Sequence, residues 1–194
     1  MRWRTDMDAS LSKSGERYTL AIERRLPHSP EKVWRVVTEK KLLSQWFPAH
    51  VLGKWKVGAE LRFEFQHGEG DDLPVEELRG EVLAVEPERL LEFRWGKHIL
   101  RCELIPDGDG CRFLFSESFE DASWGARNAA GWEFCLQNLE TLLEGGTLAE
   151  FVMDAWRARF EHYVAAFQPG FGPQAGPPET HPEVVAEKTH EGRE

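Results

Sequence analysis

The sequence predicts an α+β domain in which an antiparallel meander of strands is covered by one long amphipathic helix. Three observations carry that expectation. Apolar and polar residues alternate in successive short segments between about Val51 and Phe119, as in Leu61, Phe63 and Phe65 or Leu91, Phe93 and Trp95. Pro106-Asp107-Gly108-Asp109-Gly110 is a turn joining two such segments. Beyond them, Trp132, Cys135, Leu136, Leu139, Leu142 and Leu143 fall on one stripe at helical spacing, stopped by Gly145-Gly146.

Taken in order, residues 1–16 read as a lead-in. Arg17 to Leu26 is a first strand, whose period-two pattern turns Tyr18, Leu20, Ile22, Arg24 and Leu26 to one face. Ser29-Pro30-Glu31 offers an N-cap, a proline at the first helical position and an acid in the first turn, ahead of Val33, Trp34 and Val37. A second short helix starts at Thr38-Glu39, carries Leu42, Leu43 and Trp46, and is closed by Pro48. The pair makes a helix-turn-helix-like elbow, but its few basic residues do not suggest DNA. The meander follows, and its last turn fixes a register: a four-residue loop at 107–110 pairs Pro106 with Cys111 and sets Cys102 opposite Phe115, so no hairpin disulfide is expected. After the covering helix, Thr147-Leu148-Ala149-Glu150 reads as a capping box for a further helix over 147–167. Its stripe of Phe151, Trp156, Phe160, Tyr163 and Phe167 is expected to fold back on the 17–146 domain or to cover a second copy. From Gln168 to Glu194, proline and glycine are dense and apolar residues few, as in a solvated tail.

Of the 194 residues, 41% are hydrophobic, 30% charged and 11% aromatic, a composition that folds around one core. The net charge of −10 has the wrong sign for a phosphate backbone, which excludes nucleic acid as an expected partner. No stretch approaches the roughly 18 apolar residues of a membrane span. Met1 to Asp8 lacks the apolar run of a signal peptide, so a cytoplasmic protein without membrane partners is expected. Cys102, Cys111 and Cys135 show no Cys-x-x-Cys spacing and are expected as free thiols. Asp107-Gly108-Asp109-Gly110 looks like the opening of a calcium loop but lacks the later ligands. With no Gly-x-Ser-x-Gly elbow, His-Glu-x-x-His or P-loop, the expectation is a protein without metal or cofactor. Eight Trp and 12 Phe against two Tyr are an apolar aromatic load that hints at a cavity or contact surface.

The stretch Glu23 to Trp34, with Thr38 and the run Leu43-Ser44-Gln45-Trp46-Phe47-Pro48, resembles one branch of the START-like (SRPBCC) superfamily. That branch is named after the C-terminal domain of activators of the ninety-kilodalton heat-shock protein ATPase. Val57 to Phe63, Gly80 to Leu90, Phe93-Arg94-Trp95 and Gly131 to Leu139 fit it as well, so the resemblance spans about Tyr18 to Gly146; His28-Ser29 departs from the usual Ala-Pro. The resemblance implies a helix-grip fold, a curved antiparallel sheet gripping the long helix around an apolar cavity. It implies binding of a small hydrophobic molecule, and relatives include aromatase/cyclases. The chaperone-binding domain of the eukaryotic activators leaves no trace in this sequence, so a chaperone partner is without support in it.

First and last strands are antiparallel neighbours in the implied fold, which brings Arg24 and Glu117 within reach of each other at the cavity's end. An inward charge needs a partner, so the two are expected as an ion pair, structural or anchoring a polar ligand group. His98 precedes the inward series Leu100, Cys102 and Leu104 and is either a proton-transfer group or a hydrogen-bonded structural one; no carboxylate partner is visible for it in sequence. His50 lies in the loop after the short helices. Phe63, Phe65, Phe93, Trp95, Phe113, Phe115 and Trp132 are expected to line an apolar cavity with Trp46, and Phe47 and Trp124 to stand near its mouth. The ligand-binding set is therefore Arg24, Trp46, Phe63, Phe65, Phe93, Trp95, His98, Phe113, Phe115, Glu117 and Trp132. No residue is assigned a catalytic role. Noncatalytic binding of a small hydrophobic or aromatic molecule leads. A cyclase- or hydrolase-like enzyme using Arg24, Glu117 or His98, and a chaperone-related or other protein-interaction module, are the alternatives; in each case the protein is expected as a monomer or a homodimer.

Overall fold

Alternation over Arg17–Leu26 buries Leu20, Ile22 and Leu26 on one face of a ten-residue strand. In the computed structural model, which describes residues 9–65 and 78–176, that segment is the second of eight strands. They are β1 (Ser10–Ser14), β2 (Arg17–Leu26), β3 (His50–Leu52), β4 (Glu60–Glu64), β5 (Arg79–Glu86), β6 (Leu90–Trp95), β7 (His98–Asp107) and β8 (Gly110–Phe119). All pair antiparallel in one curved sheet of order β1-β2-β8-β7-β6-β5-β4-β3. The helices are α1 (Pro30–Thr38), α2 (Lys40–Leu43), α3 (Gly125–Glu144) and α4 (Met153–Phe171). The fold is the α+β arrangement that the residue patterns predict, and it is the helix-grip fold that the family resemblance implies.

The expected register at the last hairpin is present: Pro106 pairs with Cys111 and Cys102 with Phe115, around a turn in which Gly108 has φ 59°. All three cysteines are free and buried, and burial pushes the Cys102 thiol up to about 12, far from a reactive thiolate. The lead-in contains a strand that the sequence reading passed over. Gly15, at φ 61°, opens a two-residue turn that pairs Ser14 with Arg17 and lays β1 along the sheet edge.

Ser29 caps α1 as expected, its hydroxyl accepting from the Lys32 N–H. Trp46 is fixed as a staple behind this helix: its indole N–H donates to the Val36 carbonyl at 3.0 Å, and the ring is buried. Lys40, at the start of α2, lays Nζ 3.6 Å over the Trp55 ring centroid, and Nζ is buried with no hydrogen-bond partner. That burial pulls its ammonium down to about 8. Between about pH 8 and the usual lysine value of about 10.4, the unfolded chain holds a proton that the folded chain has released, so stability attributable to this group rises with pH. Lys40→Met should therefore raise thermal stability at pH 7 and lose its advantage toward pH 10. About 1 kcal/mol is expected, once the cation–π attraction and the side chain's remaining access to water are discounted. Melting curves of both proteins at pH 7 and pH 10 check this, and an advantage that does not shrink refutes it.

The fourth helix corrects the sequence reading at its start. Thr147-Leu148-Ala149-Glu150 does not cap it; the chain is irregular to Val152 and the helix begins at Met153. The reason is Asn138, buried on α3, whose side-chain oxygen accepts from the Ala149 N–H at 2.9 Å while its amide donates to the Ala149 carbonyl. With both backbone groups engaged by a neighbouring helix, the segment is held out of helical geometry. Phe151 is consequently off the helical stripe and exposed, touching Phe134 edge-on. From Met153 the stripe behaves as expected, folding α4 back along α3 and burying Trp156, Phe160, Tyr163 and Phe167. The Tyr163 hydroxyl accepts from the Ala9 N–H at 3.0 Å. The helix continues to Phe171 with Pro169 in its last turns, beyond the expected start of the tail, and Gln174 then accepts from the Ala126 N–H in the first turn of α3. The remainder of the tail, 177–194, lies outside the described residues, as does the first half of the expected lead-in, 1–8.

Candidate functional site

Two hairpin registers build the site. Gly96-Lys97 is a two-residue turn with Gly96 at φ 55°, which sets Trp95 directly opposite His98. The β7–β8 register sets Leu100 opposite Glu117, so Glu117 is the diagonal neighbour of His98 on the same face. The His98 Nδ1 and Glu117 Oε1 are 2.7 Å apart, and the other Glu117 oxygen accepts from the Trp132 indole N–H at 2.8 Å. Glu117 is 5% exposed and Trp132 is buried, whereas a third of the His98 side chain remains accessible. With Glu117 as carboxylate, Nδ1 carries the hydrogen, which leaves Nε2 as the ring atom available to a ligand. Among the described residues Nε2 has no hydrogen-bond partner.

The His98–Glu117 pair forms part of the wall of a cleft of about 480 Å³. The cleft lies between the β6–β7 turn, the end of β8, the 3-10 turn Ala122–Trp124 and the first turn of α3. Phe65, Trp95, Phe119 and Trp124 supply its apolar surface, and Lys97, Glu120, Asp121 and Arg127 complete its polar part. The His98 ring stacks on Phe119 at 6.0 Å and meets Trp124 edge-on at 6.5 Å. Trp124, 40% exposed, stands at the mouth, and the Arg127 guanidinium carbon lies 4.9 Å over its ring. Burial lowers the Arg127 pKa below its ordinary value.

The expected Arg24–Glu117 ion pair is not formed. In the β2–β8 register Arg24 faces Phe113 and Glu117 faces Leu20, four residues away along the strand, about 13 Å at strand rise. The Arg24 guanidinium instead meets two carboxylates of α3, Glu140 at 2.9 Å and Glu133 at 3.5 Å. Glu133 also lies 3.8 Å from Arg159 of α4, so a charge network ties β2 to both long helices.

Most of the rings expected around a cavity pack on one another instead. Phe63 stacks on Trp95 at 4.6 Å and 14°, Phe115 lies 4.5 Å from Trp132, and Phe47 touches Phe63, Phe93, Trp95 and Trp132. Gly80 opposite Trp95 makes the stack possible, since a Cβ there would run into the Arg94 carbonyl and come within 2.9 Å of the Phe63 ring. Of the sequence-predicted set, Phe65, Trp95, His98 and Glu117 line the cleft, with Trp132 behind Glu117. Trp46, Phe63, Phe93, Phe113 and Phe115 lie in the hydrophobic core, and Arg24 in its half-buried ion pairs with α3; none of the six is on this wall. Phe47 is core, and His50 is exposed on β3. Arg127 and Phe119 were not among the predicted residues; Phe119 continues the inward series of Phe113, Phe115 and Glu117, and that period was the available signal.

A curved antiparallel sheet gripping a long helix, with a half-open aromatic cleft at one end, defines this molecule as a helix-grip protein. The chain belongs to the family described as Activator of Hsp90 ATPase homolog 1-like protein, whose family model matches residues 27–144. Solved structures share the fold. CalU16 from Micromonospora echinospora is 22% identical with a TM-score of 0.67, over 83% of this chain and 98% of that one. A conserved protein of unknown function from Enterococcus faecalis is 21% identical with a TM-score of 0.68, over 84% and 92%. DynU16, a protein of the dynemicin biosynthetic locus, is 24% identical with a TM-score of 0.58, over 69% of this chain and 49% of that one. No curated protein matches the chain. No helix among the described residues is long and apolar enough to cross a membrane, and the described residues contain no cluster of three or more His, Cys, Asp or Glu able to hold a metal ion.

Proposed function

We propose that this protein binds a small aromatic or hydrophobic molecule in the cleft and releases it unchanged. The observation that carries the reading is the cleft itself: about 480 Å³ of space walled by Phe65, Trp95, Phe119 and Trp124, within the size range of small-molecule sites. The likeness to a protein of the dynemicin biosynthetic locus supports small-molecule handling. Titration with the neutral aromatic probe N-phenyl-1-naphthylamine tests it. Saturable binding with one site per chain is expected, weakened at least tenfold by Trp124→Ala. Absence of saturation, or affinity indifferent to Trp124, overturns the reading.

Proton-transfer catalysis is the second reading, favoured by one observation. The imidazole of His98 is oriented by a buried carboxylate and presents Nε2 to the cleft, the arrangement that a general acid or base requires. Native mass spectrometry of protein purified from its own host separates the two readings. A co-purified molecule that keeps both its mass and its chromatographic retention on incubation supports binding. One whose mass or retention changes with the wild type but not with His98→Ala establishes catalysis.

A further inference from the structure

The acidic groups of the cleft are already engaged. Glu117 receives His98 and Trp132, Glu120 lies 3.3 Å from the Arg17 guanidinium, and Asp121 accepts from the Ser123 N–H at 2.9 Å. Its arginine is different. Among the described residues Arg127 has neither a carboxylate within ion-pair distance nor a hydrogen-bond acceptor, and its contact is the face of Trp124. A partly buried guanidinium without a counter-anion is a costly state that stacking on one indole offsets only in part. His98 Nε2 is a second unpartnered polar atom of the same cleft, on a ring that meets the same Trp124. An acid attached to an aromatic ring satisfies the guanidinium and the aromatic walls together, since the ring covers the walls while two carboxylate oxygens match the guanidinium fork.

Resting on the binding reading above, we infer that the ligand is an aromatic carboxylic acid, its ring against Trp95 and Trp124 and its carboxylate on Arg127. His98 Nε2 meets a hydrogen-bonding substituent elsewhere on the same ligand. The position of Arg127 in the first turn of the 20-residue α3 favours a negative group further, because the dipole of that helix presents its positive end there.

Two probes of equal shape isolate the charge: 2-naphthoate and its neutral counterpart 2-naphthamide, titrated by calorimetry against the full chain. The naphthoate should bind the wild type at least tenfold more tightly. Arg127→Met, which keeps an apolar stem over Trp124 and removes the fork, should bring naphthoate down to the affinity of naphthamide and leave naphthamide within twofold. Arg127→Lys should retain part of the preference. Equal affinity of the two probes in the wild type, or a preference that survives Arg127→Met in a variant with unchanged melting temperature, overturns the inference while leaving the cleft a binding site. If neither probe saturates the wild type while N-phenyl-1-naphthylamine does, the inference falls and the binding reading stands; if none of the three saturates, both fall.

Discussion

A chain ending at Gly146 should fail to persist as a soluble monomer at 37 °C. The fourth helix buries Trp156, Phe160, Tyr163 and Phe167, and each fully buried ring of this size is worth about 1.5–3 kcal/mol. The gross loss of about 6–12 kcal/mol is as large as the whole stability of an ordinary domain, about 5–15 kcal/mol. The loss extends beyond α4 itself. Removing it leaves the partnering face of α3 in water, frees the Ala9 N–H from the Tyr163 hydroxyl, and takes away Gln174 from the start of α3. Close packing at that junction shows how little slack exists, since a Cβ at Gly125 would lie 2.7 Å from Leu11 and 3.4 Å from Phe167. Expression of 1–146 beside the full chain, compared by soluble yield, size-exclusion profile and melting temperature, checks this. Equal melting temperatures would show that α4 is an ornament on an independent domain.

Glu117→Leu is the second large effect expected. Leucine fills similar space but leaves the buried Trp132 N–H without an acceptor and His98 without the group that orients it. A buried donor left unsatisfied costs about 1–3 kcal/mol, and losing hydrogen bonds to a charged group adds to it, so about 3 kcal/mol is expected. For a chain of this length that is a fall of about 6–12 °C in melting temperature. Adding Trp132→Phe, which removes the orphaned donor, should recover part of the loss. Glu117→Gln should stay close to the wild type, because an amide can serve both neighbours. Its oxygen must face the Trp132 donor, its NH2 then faces Nδ1, and the neutral His98 ring is forced to carry its hydrogen on Nε2. Nitrogen chemical shifts of the His98 ring read that change of tautomer directly. A Glu117→Leu protein that melts with the wild type would sink the account.

What the sequence made legible follows from where registers come from. A tight turn fixes pairing by arithmetic, so the loop at 107–110 placed Cys102 opposite Phe115 correctly, and by the same count Leu100 opposite Glu117. The partnership of His98 with Glu117 was thus readable two residues further on; inward charge was matched with Arg24 instead. That match could not be tested from sequence, because β2 and β8 are joined by no turn and nothing local sets their offset. The carboxylates that do meet Arg24, Glu133 and Glu140, lie seven residues apart on α3 and show only as polar positions beside an apolar stripe. The core aromatics were legible as inward, but alternation cannot distinguish rings that line a void from rings that fill it. The start of α4 was misplaced because the competing interaction, Asn138 on the Ala149 backbone, joins segments that propensity treats separately.

Pairing of β2 with β8 sets a timetable as well as an architecture. The first hairpin is available as soon as Leu26 has been synthesised, but the strand that completes it pairs Cys111 with Leu26 and Phe119 with Tyr18, residues roughly 90 positions later. At ordinary synthesis rates of about 5–20 residues per second, β2 waits several seconds on the ribosome with one edge unsatisfied. Its inner side carries Leu20, Ile22 and Leu26, which are equally uncovered until α3 emerges. The nascent chain is therefore most vulnerable to aggregation and to chaperone capture during that interval, and it is the joining of its two distant ends, rather than any local helix, that governs how quickly the molecule becomes safe.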